Sequence, residues 1–192
     1  SEGRFTLGVG VGGREEDYDS IGANWSNRRW ATLSNFVKTM QLVWSKQYHP
    51  SLGPETFSPR GPEILAGAVG PKAMQMSSGF ADGLSVFSFN ADIEEIKDSF
   101  SRVKEAFSKI NKSPRLVTSF WFGLGESGRL DIQIHLERYL GWMGHDLAKD
   151  LSKTAGFSGT EADLNKFLTL IKDAGATDVI LVPTSKNIDQ LR

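Results

Sequence analysis

The sequence predicts an α/β fold built on a parallel sheet. Two observations carry the prediction: five short apolar runs alternate with stretches of helical periodicity, and glycine or proline punctuates their ends. Parallel neighbours need a crossover connection, so strict strand–helix alternation implies right-handed βαβ units.

The first strand is expected over Phe5–Gly10, which runs directly into Gly12 and Gly13. A polar stretch, Arg14 to Asn24, separates it from a helix with Trp30, Leu33, Val37, Met40 and Trp44 on one face. Pro50, Pro54, Pro59 and Pro62 then break regular structure. A buried strand follows over Glu63–Ala68, and Gly70-Pro71 opens a helix, since proline suits the first helical position. Gly83–Phe87 is the third strand, and Ile93, Ile96, Phe100, Val103, Phe107 and Ile110 mark a long amphipathic helix. Arg115–Leu124, rich in β-branched and aromatic residues, is the fourth strand. The helical region from Arg129 to Lys153 is interrupted near Gly141 and Gly144. Thr160-Glu161-Ala162-Asp163 has the form of a capping box. Leu164, Phe167, Leu168 and Ile171 continue the helix, and Gly175 stops it. The unbroken apolar run in Asp178–Val182 predicts a fifth strand buried on both faces.

The 192 residues fit one domain, 1–192, with 39% hydrophobic and 23% charged residues, the composition of an ordinary globular protein. A net charge of −1 gives no pull toward nucleic acid or an anionic membrane. The absence of cysteine excludes disulfides, thiolate metal sites and a cysteine nucleophile, and fits a reducing compartment. No apolar run approaches the roughly 18 residues of a membrane helix. Together these features place the chain in the cytoplasm as an expectation.

Two segments could carry chemistry. Gly8, Gly10 and Gly13 spell G-x-G-x-x-G, the fingerprint of dinucleotide-binding Rossmann folds. That motif requires an immediate helix and an acidic residue about 20 positions later at the end of a second strand, whereas the residues around Leu33 are helical and carry no acid. Glycines easing strand packing are the structural alternative. Ala66-Gly67-Ala68-Val69-Gly70-Pro71-Lys72 is the better site: small residues leave the strand end open, and unpaired amides at the start of a helix suit a phosphate. An ordinary strand-to-helix turn accounts for the same residues. His49, His135 and His145 lack metal-ligand spacing. Glu15, Glu16 and Asp17 fit a solvated face, Phe120, Trp121 and Phe122 fit packing, and no serine stands in a nucleophile-elbow pattern.

Arg4-Phe5-Thr6-Leu7-Gly8-Val9-Gly10-Val11-Gly12 resembles the mid-barrel strand of the bacterial luciferase-like flavin monooxygenases and their deazaflavin-dependent relatives. Gly70-Pro71-Lys72-Ala73 and Phe80-Ala81-Asp82-Gly83 resemble that family's phosphate-loop helix and following strand. Phe157 to Asp163, with Asp173 to Val182, resembles its terminal helix and closing strand. The resemblance implies a (β/α)8 barrel of TIM type, of which this chain holds about five C-terminal βα units, since relatives carry three units ahead of the segment that Ser1-Glu2-Gly3-Arg4 resembles. It implies FMN or a reduced deazaflavin as cofactor and a small organic substrate. The phosphate would lie near Gly67, Ala68, Val69, Gly70 and Pro71, and the ring near Gly10, Val11 and Gly12. Gly13 stands where many relatives carry tryptophan or an acid, and no catalytic residue is named. The implied activity is that of a monooxygenase or related oxidoreductase; the alternatives are a non-catalytic flavin-binding or structural remnant and a Rossmann-type nucleotide binder. The expected partners are a second copy of the chain or an N-terminal barrel segment.

Overall fold

Parallel strands alternate with helices in a computed structural model that describes residues 2–26, 29–49, 51–52 and 56–187. The order is β1 (Thr6–Val9), α1 (Glu15–Ser20), α2 (Arg29–Trp44), β2 (Glu63–Gly67), α3 (Pro71–Ser78), β3 (Gly83–Phe87) and α4 (Ile93–Ser108). It continues with β4 (Arg115–Leu124), α5 (Gly128–Tyr139), a 3-10 turn (Gly141–Met143), α6 (His145–Ser152), β5 (Phe157–Gly159), α7 (Glu161–Asp173) and β6 (Asp178–Pro183). Pro50 and Pro54 of the expected connector lie outside the described residues.

The chain divides into two compact units, Ser1–Ser85 with Arg102–Arg115, and Val86–Ser101 with Leu116–Arg192. In the first, β1 pairs in parallel with β2 from Thr6 beside Glu63 to Val9 beside Ala66. β2 pairs in parallel with β3, Leu65 beside Gly83 and Gly67 beside Ser85. Side chains alternate across a strand, so Ile64 and Ala66 are fully buried while Glu63 and Leu65 are half-buried. Burying an isoleucine such as Ile64 contributes about 1.5–3 kcal/mol. The single apolar face predicted for α2 holds in part: Val37 is buried, and Trp30, Leu33, Met40 and Trp44 are half-buried.

In the second unit β4 is the core strand, with Leu116 to Gly123 all buried. It pairs in parallel with β6, Val117 beside Asp178 through Phe122 beside Pro183, and with β5 at its end, Phe122 beside Phe157. Trp121, Ile132, Leu136, Leu140, Ala148 and Ala155 form a buried cluster. The capping box of α7 is formed: the Asp163 N–H donates to the Thr160 hydroxyl at 3.2 Å, and the Asp163 carboxylate accepts from the Thr160 N–H at 3.2 Å. Gly175 ends the helix at φ +101.

Three sequence expectations need correction. β6 is not buried on both faces: Ile180 is 51% exposed, so the layers over the sheet leave its face uncovered at the strand's middle, and among the described residues β6 pairs with β4 alone. β5 is a sixth strand that the sequence does not announce, only 3 residues long. The polar stretch after β1 contains a helix, α1, none of whose residues is buried. Its Glu15, Glu16 and Asp17 occupy the first turn, where carboxylates favour the helix dipole.

Candidate glycine cradle at the strand ends

Parallel pairing brings the two sequence motifs together. Because Val9 lies beside Ala66, the next residues along, Gly10 and Gly67, meet at the C-terminal ends of β1 and β2. A Cβ on Gly10 would stand 3.9 Å from the Gly67 carbonyl oxygen, and one on Gly67 would stand 3.8 Å from that of Val9. Gly67 in turn lies beside Ser85. Gly10, Gly67 and Ser85 therefore form a row of small residues across three strands. Beside it, a Cβ on Gly8, Gly13 or Gly70 would meet nothing within 4 Å. We call this open, side-chain-free surface, which ordinary side chains would occupy, the glycine cradle.

The glycines serve space more than backbone freedom. Of Gly8 in β1 and Gly10, Gly12 and Gly13 in the turn after it, only Gly12 has positive φ, at +67. Gly70 is extended at φ −90 and ψ 155, a conformation open to any residue. What it lacks is a side chain. As N-cap of α3 it leaves the helix without a side-chain cap, and Pro71 follows with no N–H to offer. The first bond of the helix runs from the Met74 N–H to the Gly70 carbonyl at 3.0 Å. The amides of Lys72 and Ala73 precede it and have no intrahelical acceptor. Ala68 is buried, while Val69 turns its side chain to solvent at 78% exposure.

A cluster beside the glycine turn escaped the sequence reading. The Tyr18 hydroxyl of α1 donates to the Val11 carbonyl, and its ring lies 3.8 Å from the Cβ position of Gly12. Trp25 meets Tyr18 edge-on at 5.1 Å, and the Arg29 guanidinium lies 3.4 Å from the centre of the Trp25 ring. Tyr18, Trp25 and Arg29 stand at i, i+7 and i+11, but Trp25 lies in the connection between α1 and α2, so their contact does not come from a shared helix face and is invisible before folding.

The opposite ends of the strands look structural. Arg115 binds Glu63, and its Nη1 donates to the Thr6 hydroxyl at 3.2 Å. The Asp82 carboxylate accepts the Ile64 N–H at 2.9 Å. A hollow of about 270 Å³ lies there, lined by Gln41, Ser58, Arg60, Gly61, Pro62, Glu63 and Asp82. In (β/α)8 barrels this end serves stability, and chemistry belongs to the C-terminal ends where the glycines meet.

The other candidates separate. Trp121 packs edge-on against Phe87 and Phe89, and Phe120 against Phe167. His49 contacts the Ser51 hydroxyl at 2.8 Å, and His135 stacks on Tyr139 at 6.0 Å. Burial first, and then the charge of Arg138, lowers the pKa of His135 below its usual value. Arg129, whose pKa burial lowers, donates to the Ala155 carbonyl at 2.6 Å. Among the described residues no cluster of three or more His, Asp or Glu could hold a metal, and no helix is long and apolar enough to cross a membrane. Among the described residues the Rossmann spacing is not met either: the strand that pairs with β1 begins only at Glu63, far beyond the spacing the fingerprint needs.

Comparison with curated proteins gave no match. Among solved structures the chain is similar to an F420-dependent secondary alcohol dehydrogenase in complex with an F420–acetone adduct. The TM-score is 0.71 at 17% identity, covering 97% of this chain and 66% of that one. It is similar to the coenzyme F420 dependent tetrahydromethanopterin reductase from Methanopyrus kandleri, with a TM-score of 0.61 at 11% identity over 94% of this chain and 68% of that one. A third likeness is to the oxygenating constituent of 3,6-diketocamphane monooxygenase from the CAM plasmid of Pseudomonas putida, in complex with FMN. Its TM-score is 0.60 at 11% identity over 94% of this chain and 64% of that one. The chain thus spans about two thirds of the length of these structures. At such identities the likeness speaks for the fold, an α/β fold of partial (β/α)8-barrel type. The family profile of the luciferase-like monooxygenases matches residues 1–167, and with most of its length accounted for this chain belongs to that family.

Proposed function

We propose that this chain carries the cofactor side of a flavin- or deazaflavin-dependent oxidoreductase acting on a small organic substrate. The observation that carries the reading is the cradle: Gly10 and Gly67 leave a side-chain-free surface that runs into the uncapped start of α3 at Gly70. The residues fit a planar ring bearing a phosphate tail. Gly10, Val11 and Gly12 would lie along the ring, and Gly67, Ala68, Val69, Gly70 and Pro71 would shape the phosphate end. The Lys72 and Ala73 amides and the positive end of the α3 dipole would hold the anion, with the Lys72 ammonium adding charge.

FMN or a reduced deazaflavin would supply the electron or hydride transfer, the chemistry that protein side chains lack. The chain's own part is to bind the phosphate, to keep side chains off the ring-facing surface, and to fix the strand ends that carry it. The solved relatives described with F420 or FMN support this class of cofactor without deciding between the two.

The test is fluorescence titration of the purified chain with FMN and with coenzyme F420, beside the variants Gly67→Val and Gly70→Asp. Gly67→Val fills the cradle with its Cβ 3.8 Å from the nearest backbone oxygen, an ordinary contact that the fold tolerates. Gly70→Asp sets a carboxylate against the phosphate. Binding of one cofactor by the wild type, weakened at least tenfold in both variants (about 1.4 kcal/mol), is the expected result. A wild type that binds neither cofactor at millimolar concentration, or variants of unchanged affinity, would overturn the proposal.

A further inference from the structure

The glycine turn raises a physical difficulty. Residues 10, 12 and 13 are all glycine, and glycine loses more conformational freedom on ordering than any other residue. A ligand that had to order this turn by itself would lose affinity to that entropy. Something in the free protein should hold the turn in place beforehand.

Tyr18 is the group in position to do so. Its hydroxyl donates to the carbonyl of Val11, between Gly10 and Gly12, and its ring covers Gly12, which sits at φ +67. The tyrosine is itself braced. Trp25 meets it edge-on at 5.1 Å, the Arg29 guanidinium lies over Trp25 at 3.4 Å, and Arg29 Nη1 donates to the Ser26 carbonyl at 3.1 Å. The Tyr18 carbonyl accepts the Ala23 N–H at 2.9 Å, which ties the end of α1 to the turn after it. Since α1 buries none of its residues, packing into the core does not explain its placement. Tyr18 supplies its contact with the glycine turn, beside the ion pairs of Arg14 with Glu16 at 4.0 Å and Asp17 at 3.7 Å.

We propose that Tyr18 is a positioning residue that holds the turn at 10–13 in its ligand-facing shape, acting through the Val11 carbonyl. This rests on the reading of that turn as part of the cofactor site. Tyr18→Phe removes the donor and keeps the ring against Trp25, so the fold is retained and only the tether is lost. The experiment pairs 15N relaxation on glycine-labelled protein with titration by FMN and by coenzyme F420. In the variant the order parameters of Gly10, Gly12 and Gly13 should fall from the rigid range, about 0.85, toward about 0.6 or below, while those of Gly67 and Gly83 stay unchanged. Affinity for the bound cofactor should weaken about five- to tenfold, the scale of one lost neutral hydrogen bond. The visible circular dichroism of the bound cofactor should change as the ring loses its fixed seat, a signal that a merely structural role would not move. Unchanged order parameters would overturn the proposal. So would a loosened turn with undiminished affinity, which leaves the site reading intact and removes Tyr18 from it. A wild type that binds neither cofactor would overturn the site reading itself, so that failure appears in the parent protein and failure of the tether only in the variant.

Discussion

At Gly128 an added Cβ would stand 2.3 Å from the Gly123 carbonyl oxygen, and at Gly123 one would stand 2.4 Å from that of Gly128. Backbone meets backbone where β4 hands over to α5, so no flexible side chain can yield. Gly128→Ala should destabilise the protein by about 1–3 kcal/mol, the range for forced overpacking. Gly8→Ala, whose Cβ enters open space, should leave the midpoint of urea unfolding nearly where it is. Equal midpoints for the two variants would refute this division of the glycines. His135 makes a second expectation. Its native pKa lies below the ordinary 6.5, with burial the larger cause and Arg138 the smaller. Between the native value and 6.5 the unfolded chain binds more protons, so stability rises with pH across that window. This contribution is complete above pH 6.5 and is lost as pH falls toward the native value. His135→Gln should flatten that slope in denaturation curves recorded from pH 7 downward, and an undiminished slope would exclude His135 as its source.

Among the elements, α7 shows what local sequence can reveal. Its capping box, its i, i+3, i+4, i+7 apolar spacing and its Gly175 stop all lie within one stretch, and all three are realised. Thr160→Ala should cost about 1 kcal/mol, typical of a lost N-cap, and calorimetry should register a lower Tm. Asp163 has a pKa below the carboxylate value of 3.8, held down first by the Thr160 hydroxyl and then by the Thr160 N–H. Its contribution is therefore present above that value and fades as pH falls through the native one. An unchanged Tm in Thr160→Ala would mean that the cap is idle. Where signals are not local, the sequence falls silent. β5 is too short for any periodicity to emerge, and its place is set by pairing with the end of β4. β6 reads as doubly buried because its residues are apolar, yet exposure follows from what packs against each face of the sheet, which no window of sequence contains. The cradle was half legible for the same reason. Each glycine motif is visible alone, but their meeting at Gly10 and Gly67 depends on a register between strands more than 50 residues apart.

For the whole molecule the open question is what becomes of the longer edge strands, β1 and β6, since β5 is only 3 residues long. In the first unit, β1 pairs with β2, and among the described residues its other side has no strand. In the second, among the described residues β6 pairs with β4 alone. An edge strand presents a row of unpaired N–H and C=O groups, which proteins normally blunt with charge or proline. β6 is so guarded, beginning at Asp178 and ending at Pro183. β1, with the sequence Thr-Leu-Gly-Val, carries neither, and Phe5 just before it is 54% exposed. Phe57 is more exposed still, at 76%. Association should therefore run through β1 in preference to β6. Size-exclusion chromatography with light scattering on the purified 192-residue chain should give a mass above the monomer that grows with concentration. Phe5→Lys, which sets a charge beside the β1 edge, should return the mass toward the monomer, whereas Ile180→Lys on the guarded β6 should do so far less. A concentration-independent monomer in the wild type would show that the chain covers the β1 edge by itself, and equal effects of the two lysines would show that the edges do not differ as their sequences suggest.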